Sequence, residues 1–254
     1  MRLEWQTRAG IPLLVARGSG ALVAFTTRKG GVSEGSFASL NLGFATPDDA
    51  ASVAENRRRA LTAAGADPAR AQSLRQVHGT RVLEAEEGPS GAYLAAPTAW
   101  PEADALVTSQ PGLPLVAHGG DCLTAALVAP GGGRIATVHA GWRGLVAGVL
   151  EAAAERVGRG FSAALGPGAG PCCYEVGDDV AAQLRARFGD DVVLDRRADL
   201  ALCAQRALEH SSTAAVVSAR LCTICDAEWF HSHRRDGRGS GRQAVVAYIG
   251  EELT

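Results

Sequence analysis

Residues 134–157 run from an apolar segment, Arg134-Ile135-Ala136-Thr137-Val138, through His139-Ala140-Gly141-Trp142-Arg143-Gly144, into Leu145, Val149, Ala153 and Val157 at i, i+4 spacing. The apolar segment reads as a short buried strand, and the repeat reads as one face of an amphipathic helix. A strand, a glycine-flanked turn and a helix in direct succession commit the chain to packed sheet and helix layers. His139 falls where strand gives way to turn. Such a position holds a side chain and free backbone N–H groups at the end of a rigid element.

The rest of the chain supplies partners for that unit. Leu13–Ala16 and Ala21–Thr26 read as strands joined around Gly18-Ser19-Gly20. Thr46-Pro47-Asp48-Asp49 reads as a helix start, with Thr46 as cap and a helix running to Ala64. Ser73–Val77 and Arg81–Ala85 are predicted as strands flanking His78-Gly79-Thr80, and Pro89–Pro101 as a surface loop. Three further strands are expected at Ala103–Thr108, Leu113–Ala117 and Leu123–Ala129. A strand over Phe161–Leu165, helices near Val176–Phe188 and Ala198–Glu209, and strands at Ala214–Val217 and Ala244–Ile249 complete the expectation. With no internal repeat and no linker, residues 1–254 read as one α+β or mixed α/β domain.

Composition narrows the function classes. The chain is 46% hydrophobic and 20% charged, enough for a substantial core. A formal net charge of −2 without a basic tract argues against an extended nucleic-acid or anionic-membrane surface. Ile11–Ala16 is too short for a signal-peptide core, and no run approaches the ~20 apolar residues of a membrane helix. Six cysteines do not make a dense disulfide scaffold in a chain of this length. The expectation is a soluble cytoplasmic protein.

Two residues are suited to meet His139: His78 in Gln76-Val77-His78-Gly79 and Cys122 in Gly119-Gly120-Asp121-Cys122. Two imidazoles and a thiolate suit zinc, and three protein ligands leave a fourth position for water or substrate. The three are therefore predicted to hold one zinc ion per chain. Their separations match no zinc-finger spacing, and a lone His or Cys beside apolar residues is ordinarily core.

Competing features read more plainly. Cys222-Thr223-Ile224-Cys225 lacks a second such pair and is taken as structural, with Cys172-Cys173 assigned to loop packing. His118 is a candidate supporting residue near Cys122. His231-Ser232-His233 is an alternative ligand pair, spaced for one face of a strand. His210 ends a helix, where the dipole explains it. Gly31-x-Ser33-x-Gly35 matches a nucleophile elbow, but no helix follows, so Ser33 is set aside. The adjacent Arg57, Arg58 and Arg59 read as a solvated helix surface. Arg234-Arg235-Asp236-Gly237 and Gly241-Arg242 offer guanidiniums beside glycines, suited to phosphate or to a solvated turn.

Taken in order, these motifs resemble the YfiH-type family, also described as the multicopper polyphenol oxidase (laccase) domain or peptidoglycan editing factor family. The resemblance rests on Thr26-Thr27-Arg28-x-Gly30-Gly31-Val32-Ser33, Ser39-Leu40-Asn41-Leu42-Gly43, Glu55-Asn56-Arg57 and Gln76-Val77-His78-Gly79. It continues through Ala103-Asp104-Ala105, Asp121-Cys122, His139–Gly144, Gly166-Pro167-x-Ala169-Gly170-Pro171, Cys222-Thr223, Phe230–Gly237 and Gly241-Arg242.

The resemblance implies a four-layer α/β/β/α fold with mixed sheets, and metal ligation by His78, Cys122 and His139. It implies purine nucleoside phosphorylase activity on adenosine, inosine, guanosine and methylthioadenosine, with adenosine deaminase activity alongside. Copper-dependent phenol oxidation, with Cu2+ in place of zinc, is an older description of such proteins. A Cys–His hydrolase editing peptidoglycan precursors is a third reading, with Cys122 as nucleophile and His139 as base. Gly120-Asp121-Cys122-Leu123-Thr124 stands where relatives have Ala-Asp-Cys-x-Pro, so the loop after the cysteine lacks its proline.

Phosphorolysis needs cations for phosphate, which points to Arg28, Arg143, Arg234 and Arg235. Asn41 is a candidate to bind substrate, and Asp121 or Cys122 to assist proton transfer. The expected partners are purine nucleosides and phosphate, with no nucleic acid or membrane, in a monomer or small homo-oligomer.

Overall fold

The computed structural model describes residues 1–18, 20–97, 100–211 and 213–250. In chain order the strands and helices are β1 (Leu3–Arg8), β2 (Ile11–Gly18), β3 (Ala21–Thr26), α1 (Ala50–Ala63), β4 (Val82–Glu84), β5 (Ala105–Thr108), β6 (Leu115–Gly119), β7 (Leu123–Val128) and β8 (Ile135–Ala140). They continue with α2 (Trp142–Ala147), α3 (Val149–Val157), β9 (Ser162–Leu165), α4 (Asp178–Phe188), β10 (Val193–Leu194), β11 (Arg197–Ala198), α5 (Leu200–Glu209), β12 (Ala215–Ser218), α6 (His233–Asp236) and β13 (Gln243–Ile249).

Two large sheets form. One has the order β1-β2-β3-β13-β6 and is antiparallel throughout. The other has the order β12-β9-β7-β8-β5-β4, with parallel pairs at both edges. Alternation along each strand sorts the apolar residues into three layers. Leu14, Val23, Phe25, Leu106, Ala126, Ile135, Val245 and Ala247 fill the space between the sheets. Ile11, Leu13, Val15, Val116 and Val246 pack outward against Ala60 and Leu61 of α1. Val107, Leu127 and Val138 pack on the opposite outer face with residues of α2, α3, α4 and α5, including Leu145, Val149, Leu184 and Leu208. Because both faces are covered, the central strands read as unbroken apolar runs rather than alternating ones. The result is the expected α/β/β/α stack.

Several local expectations are corrected. The cap of α1 is Asp49, whose carboxylate accepts the N–H of Ser52 at 2.8 Å. Thr46 instead donates to the Gly43 carbonyl and is bonded by Asn41. The expected helix over Leu145–Val157 is two helices. Gly148, at φ 96°, breaks it, and its N–H returns to the Gly144 and Leu145 carbonyls. Residues 73–77 are irregular, joined to neighbours by isolated bridges at Gln72 and Arg75. β1 was not foreseen; it pairs with β2 across the turn at Gly10. The loop expected at Pro89–Pro101 carries a one-turn helix, Ala92–Leu94, with Tyr93 buried; its residues 98 and 99 lie outside the described residues.

Arg57 departs furthest from expectation. It is 2% exposed, not solvated. Its Nε donates to the Leu42 carbonyl at 2.8 Å and Nη1 to the Tyr93 carbonyl at 2.7 Å. The guanidinium stacks over Phe44 and Tyr93, each 4.2 Å from the ring centre. Arg58 and Arg59 reach only Glu55 on the helix surface.

Candidate active site

Ile135, Thr137 and His139 share one face of β8, the face toward the other sheet. The register places Leu123 opposite Ala140 and Thr124 opposite His139, so the start of β7 brings Cys122 to the same end. β5 lies on the other side of β8, and there the His139 N–H donates to the Asp104 carbonyl at 2.8 Å.

The Asp104 side chain organises the group. Its carboxylate accepts the backbone N–H groups of Val77 at 3.2 Å, His78 at 2.9 Å and Gly79 at 2.7 Å. Its Oδ1 also lies 2.8 Å from His139 Nδ1. One fully buried carboxylate therefore holds the loop that presents His78, at φ 62°, and fixes the His139 ring. Burial alone would raise its pKa, but the bonds from His139, Gly79 and His78 hold it below the ordinary carboxylate value.

The three predicted ligands do meet. Cys122 Sγ lies 3.7 Å from His78 Nε2, the His78 and His139 rings stand edge to face at 4.8 Å, and all three donor atoms fall within 4.8 Å of one another. Burial opposes charge on Cys122, yet hydrogen bonds from His139 and His78 bring its pKa down to about 6. Burial likewise opposes charge on His139, but Asp104 and Cys122 lift it to about 9. A thiolate and two imidazoles facing one point are the donor set for a zinc or copper ion. The second imidazole nitrogen of His139 is tied to a carboxylate, the support that fixes a ligating histidine. Gly141 leaves room for this. A Cβ there would stand 2.9 Å from Cys122 Sγ and 3.0 Å from His78 Cδ2.

The group lies in a cavity of about 910 Å³. Its walls include Phe44, Trp100, Trp142 and Tyr174, with Gln76 and His118 beside them. Arg143, Arg234 and Arg242 supply cations. Arg143 lies over the Trp142 ring at 4.4 Å. Arg234 sits 5.1 Å over the Tyr174 ring and donates to the Glu175 carbonyl. Asp121, at φ 138°, faces the cavity while its carboxylate accepts Thr223 Oγ1 at 2.7 Å and the Arg234 N–H at 2.6 Å.

Other predicted residues lie away from the cavity. Arg28 is engaged by the Ala38 and Ala227 carbonyls. Asn41 is fully buried and bonds Thr46, Asp48, Gly43 and Arg242. Arg235 pairs with Asp236 and donates to the carbonyls of Thr223, Ile224 and Phe230. These three shape the surrounding loops. Ser33 donates to Asp48 and is buried.

His231 and His233 are not on a strand. Ser232 caps α6, His233 bonds the Gly237 carbonyl, and His231 is buried elsewhere. His118 bonds the Tyr93 hydroxyl at 3.0 Å. Sequence reasoning gave no role to Asp104. The available signal for Asp104 was a single carboxylate in an otherwise apolar run, since a buried charge needs several partners. Arg242, flagged in the sequence as suited to phosphate or to a solvated turn, lies on the cavity wall.

Residues 22–250 match the family model described as multi-copper polyphenol oxidoreductase laccase. The chain is 40% identical over 251 residues to a purine nucleoside phosphorylase of Deinococcus radiodurans, covering 94% of each chain. It is 35% identical over 258 residues to purine nucleoside phosphorylase YlmD of Geobacillus stearothermophilus, covering 93% of each. Among solved structures, Bacillus licheniformis YfiH superposes with a TM-score of 0.88 at 27% identity, over 96% of this chain and 98% of that one. The crystal structure of Geobacillus YlmD also gives 0.88, at 30% identity over 97% and 99%.

Proposed function

The chain belongs to the multi-copper polyphenol oxidoreductase laccase family of YfiH-type proteins, and from that premise we propose that it is a zinc-dependent purine nucleoside phosphorylase. The observation that carries the reading is the combination in one cavity of the His78, Cys122 and His139 donors, aromatic walls and three guanidiniums. Aromatic rings of this kind stack a purine, and guanidiniums hold phosphate. Adenosine, inosine, guanosine and methylthioadenosine are the proposed substrates, with adenosine deamination as a side activity.

In the proposed reaction a phosphate oxygen forms a bond to ribose C1′ as the bond from C1′ to the purine nitrogen breaks. The purine leaves with the bonding electron pair and is protonated. Arg143, Arg234 and Arg242 orient and neutralise the phosphate. Phe44, Trp100, Trp142 and Tyr174 exclude water from the base. Asp121 fixes the first turn of α6 through the Arg234 N–H and so sets where that guanidinium starts. His78, Cys122 and His139 would hold the metal, which would supply Lewis acidity in the cavity.

Multicopper oxidation uses several copper ions held by many histidines, and the donor groups here favour phosphorolysis over it. Among the described residues, one group of metal-capable side chains contains histidine. A second reading has its own support: Asp104, His139 and Cys122 stand in the order of an acid, a base and a thiol nucleophile. That geometry suits a Cys–His hydrolase acting on peptidoglycan precursors.

The test is incubation of zinc-loaded, copper-free protein with adenosine, with and without phosphate, and chromatographic separation of products. Free adenine and ribose 1-phosphate formed only with phosphate support phosphorolysis. Inosine formed without a phosphate requirement assigns the site to deamination instead. No nucleoside turnover, with amide hydrolysis that survives chelators, would move the assignment to the hydrolase.

A further inference from the structure

Away from the cavity floor, four thiols converge. The loop after β9 brings Cys172 and Cys173, and the turn after β12 brings Cys222 and Cys225. Cys172 Sγ is 3.1 Å from Cys225 Sγ and 3.5 Å from Cys173 Sγ. Cys173 Sγ is 2.8 Å from Cys225 Sγ and 3.4 Å from Cys222 Sγ. All four are free, and all four sulfurs lie within 4.8 Å of one another.

The backbones are registered to bring this about. The Gly168 N–H donates to the Leu221 carbonyl at 3.2 Å, and the Thr223 N–H to the Gly168 carbonyl at 3.0 Å. A second observation concerns the backbone donors around one of the sulfurs. The Gly170 N–H donates to Cys222 Sγ at 3.3 Å, and the Cys225 backbone N–H also supports that sulfur. Amide donors directed at sulfur stabilise a thiolate, as they do for other anions. Gly170 itself leaves the space open: a Cβ there would meet Cys222 Cβ at 3.2 Å and Cys172 Sγ at 3.5 Å.

We propose that Cys172, Cys173, Cys222 and Cys225 form a second metal centre, a tetrathiolate site for one zinc ion. Four soft sulfur donors are the ligand set of a structural zinc site. On binding, the thiols release their protons to solvent as the sulfur–zinc bonds form. Bonds of about 2.3 Å place tetrahedral sulfurs roughly 3.8 Å apart. The set here opens by small side-chain rotations, for which the exposed Cys172 and Cys225 are free.

The centre ties two segments of the active-site wall together. Tyr174 follows Cys173 directly and lines the cavity. Thr223 follows Cys222 and bonds Asp121, the neighbour of Cys122. Zinc at the four thiols therefore holds the Tyr174 wall and the Asp121 turn at a fixed separation, and its loss loosens the substrate cavity without removing the first metal.

The experiment is a metal count on protein produced with zinc and purified under reducing conditions, paired with mercurial titration of its thiols. The expected result for the unmodified protein is about two zinc ions per chain, one of them released as the clustered thiols are titrated. The Cys172→Ser/Cys225→Ser variant is expected to lose one ion and keep the other, and His78→Ala to show the converse. Cobalt(II) bound to His78→Ala should give the intense sulfur-to-metal absorption of a tetrathiolate. A single zinc ion that His78→Ala removes overturns the proposal. So does an intact mass short of a pair of hydrogens with two of those thiols unreactive, which marks a disulfide within the cluster. Metal content is read without substrate, so the outcome is separate from that of the phosphorylase assay.

Discussion

Asp104 Oδ1 lies 2.8 Å from His139 Nδ1 and accepts the His78 N–H at 2.9 Å, so one buried carboxylate sets the positions of two of the three proposed metal ligands. Asp104→Asn keeps the shape but removes the charge and turns one of the two acceptor oxygens into an NH2 donor, which cannot accept from these groups. Supporting partners of ligating histidines typically contribute 10–100-fold in metal affinity. The expected outcome is a loss in zinc affinity of about that size, measured by competition with a chromophoric chelator. Unchanged affinity would show that Asp104 serves only the loop.

Gly141→Ala tests the packing of the donor set. Gly141 has φ −69°, so alanine meets no backbone strain there. Its Cβ would press on Cys122 Sγ at 2.9 Å, and the thiol is the part able to move. The variant is expected to keep its thermal midpoint within a few degrees and to lose zinc and nucleoside turnover together. Full zinc occupancy would show that the thiol finds an equivalent position.

Arg234→Ala separates the two halves of the cavity. The guanidinium lies over Tyr174 with one nitrogen on the Glu175 carbonyl, leaving its remaining donors for an anion. Loss of a charge-assisted contact worth about 1.5–3 kcal/mol raises KM for phosphate by roughly 10–100-fold. KM for the nucleoside is expected to change little. The reverse pattern in steady-state kinetics would place Arg234 on the base or ribose.

How far the sequence carried these assignments depends on the kind of contact involved. His78, Cys122 and His139 were legible because each stands in a short turn beside an apolar strand, a setting that local pattern reveals. The layer order was legible for the same reason, since buried strands announce themselves as apolar runs. Arg57 was not: its position on α1 resembles those of Arg58 and Arg59, and only the distant Phe44, Tyr93 and Trp100 make it a core residue. The four clustered thiols were missed on similar grounds. Cys172-Cys173 and Cys222–Cys225 are each uninformative alone, and their pairing depends on a bridge between Gly168 and Cys222. The helix break at Gly148 was hidden because Leu145 and Val149 keep helical spacing across it.

Arg57 supports a stability prediction. Arg57→Ala leaves the Leu42 and Tyr93 carbonyls without their partner and opens space beneath three aromatic rings. Each orphaned buried acceptor costs about 1–3 kcal/mol, so a total destabilisation of roughly 3–5 kcal/mol is expected. Urea unfolding monitored by circular dichroism measures it. A change under about 1 kcal/mol would mean that Arg57 is dispensable to the core.

His231 predicts the direction of acid sensitivity. Among the described residues both of its ring nitrogens are buried without a hydrogen-bond partner. Burial, then the charges of Arg28 and Arg242, with Arg235 adding and Asp236 opposing, bring its pKa down to about 3. The imidazole is therefore neutral in the folded protein at pH 5, whereas an unfolded histidine, with a pKa of about 6.5, is mostly protonated. The unfolded chain binds the extra proton, so this contribution to stability is complete above about pH 6.5 and declines as pH falls toward the folded value. At pH 5 the decline from this one group is about 2 kcal/mol. His118, also held well below its ordinary value by burial and then by Arg57, Arg242 and His139, acts in the same sense. His231→Phe removes one of the two, so its stability relative to the parent should improve between pH 7.5 and pH 5 in paired urea titrations. Parallel curves for the two proteins across that interval would show that His231 does not titrate on unfolding as this geometry requires.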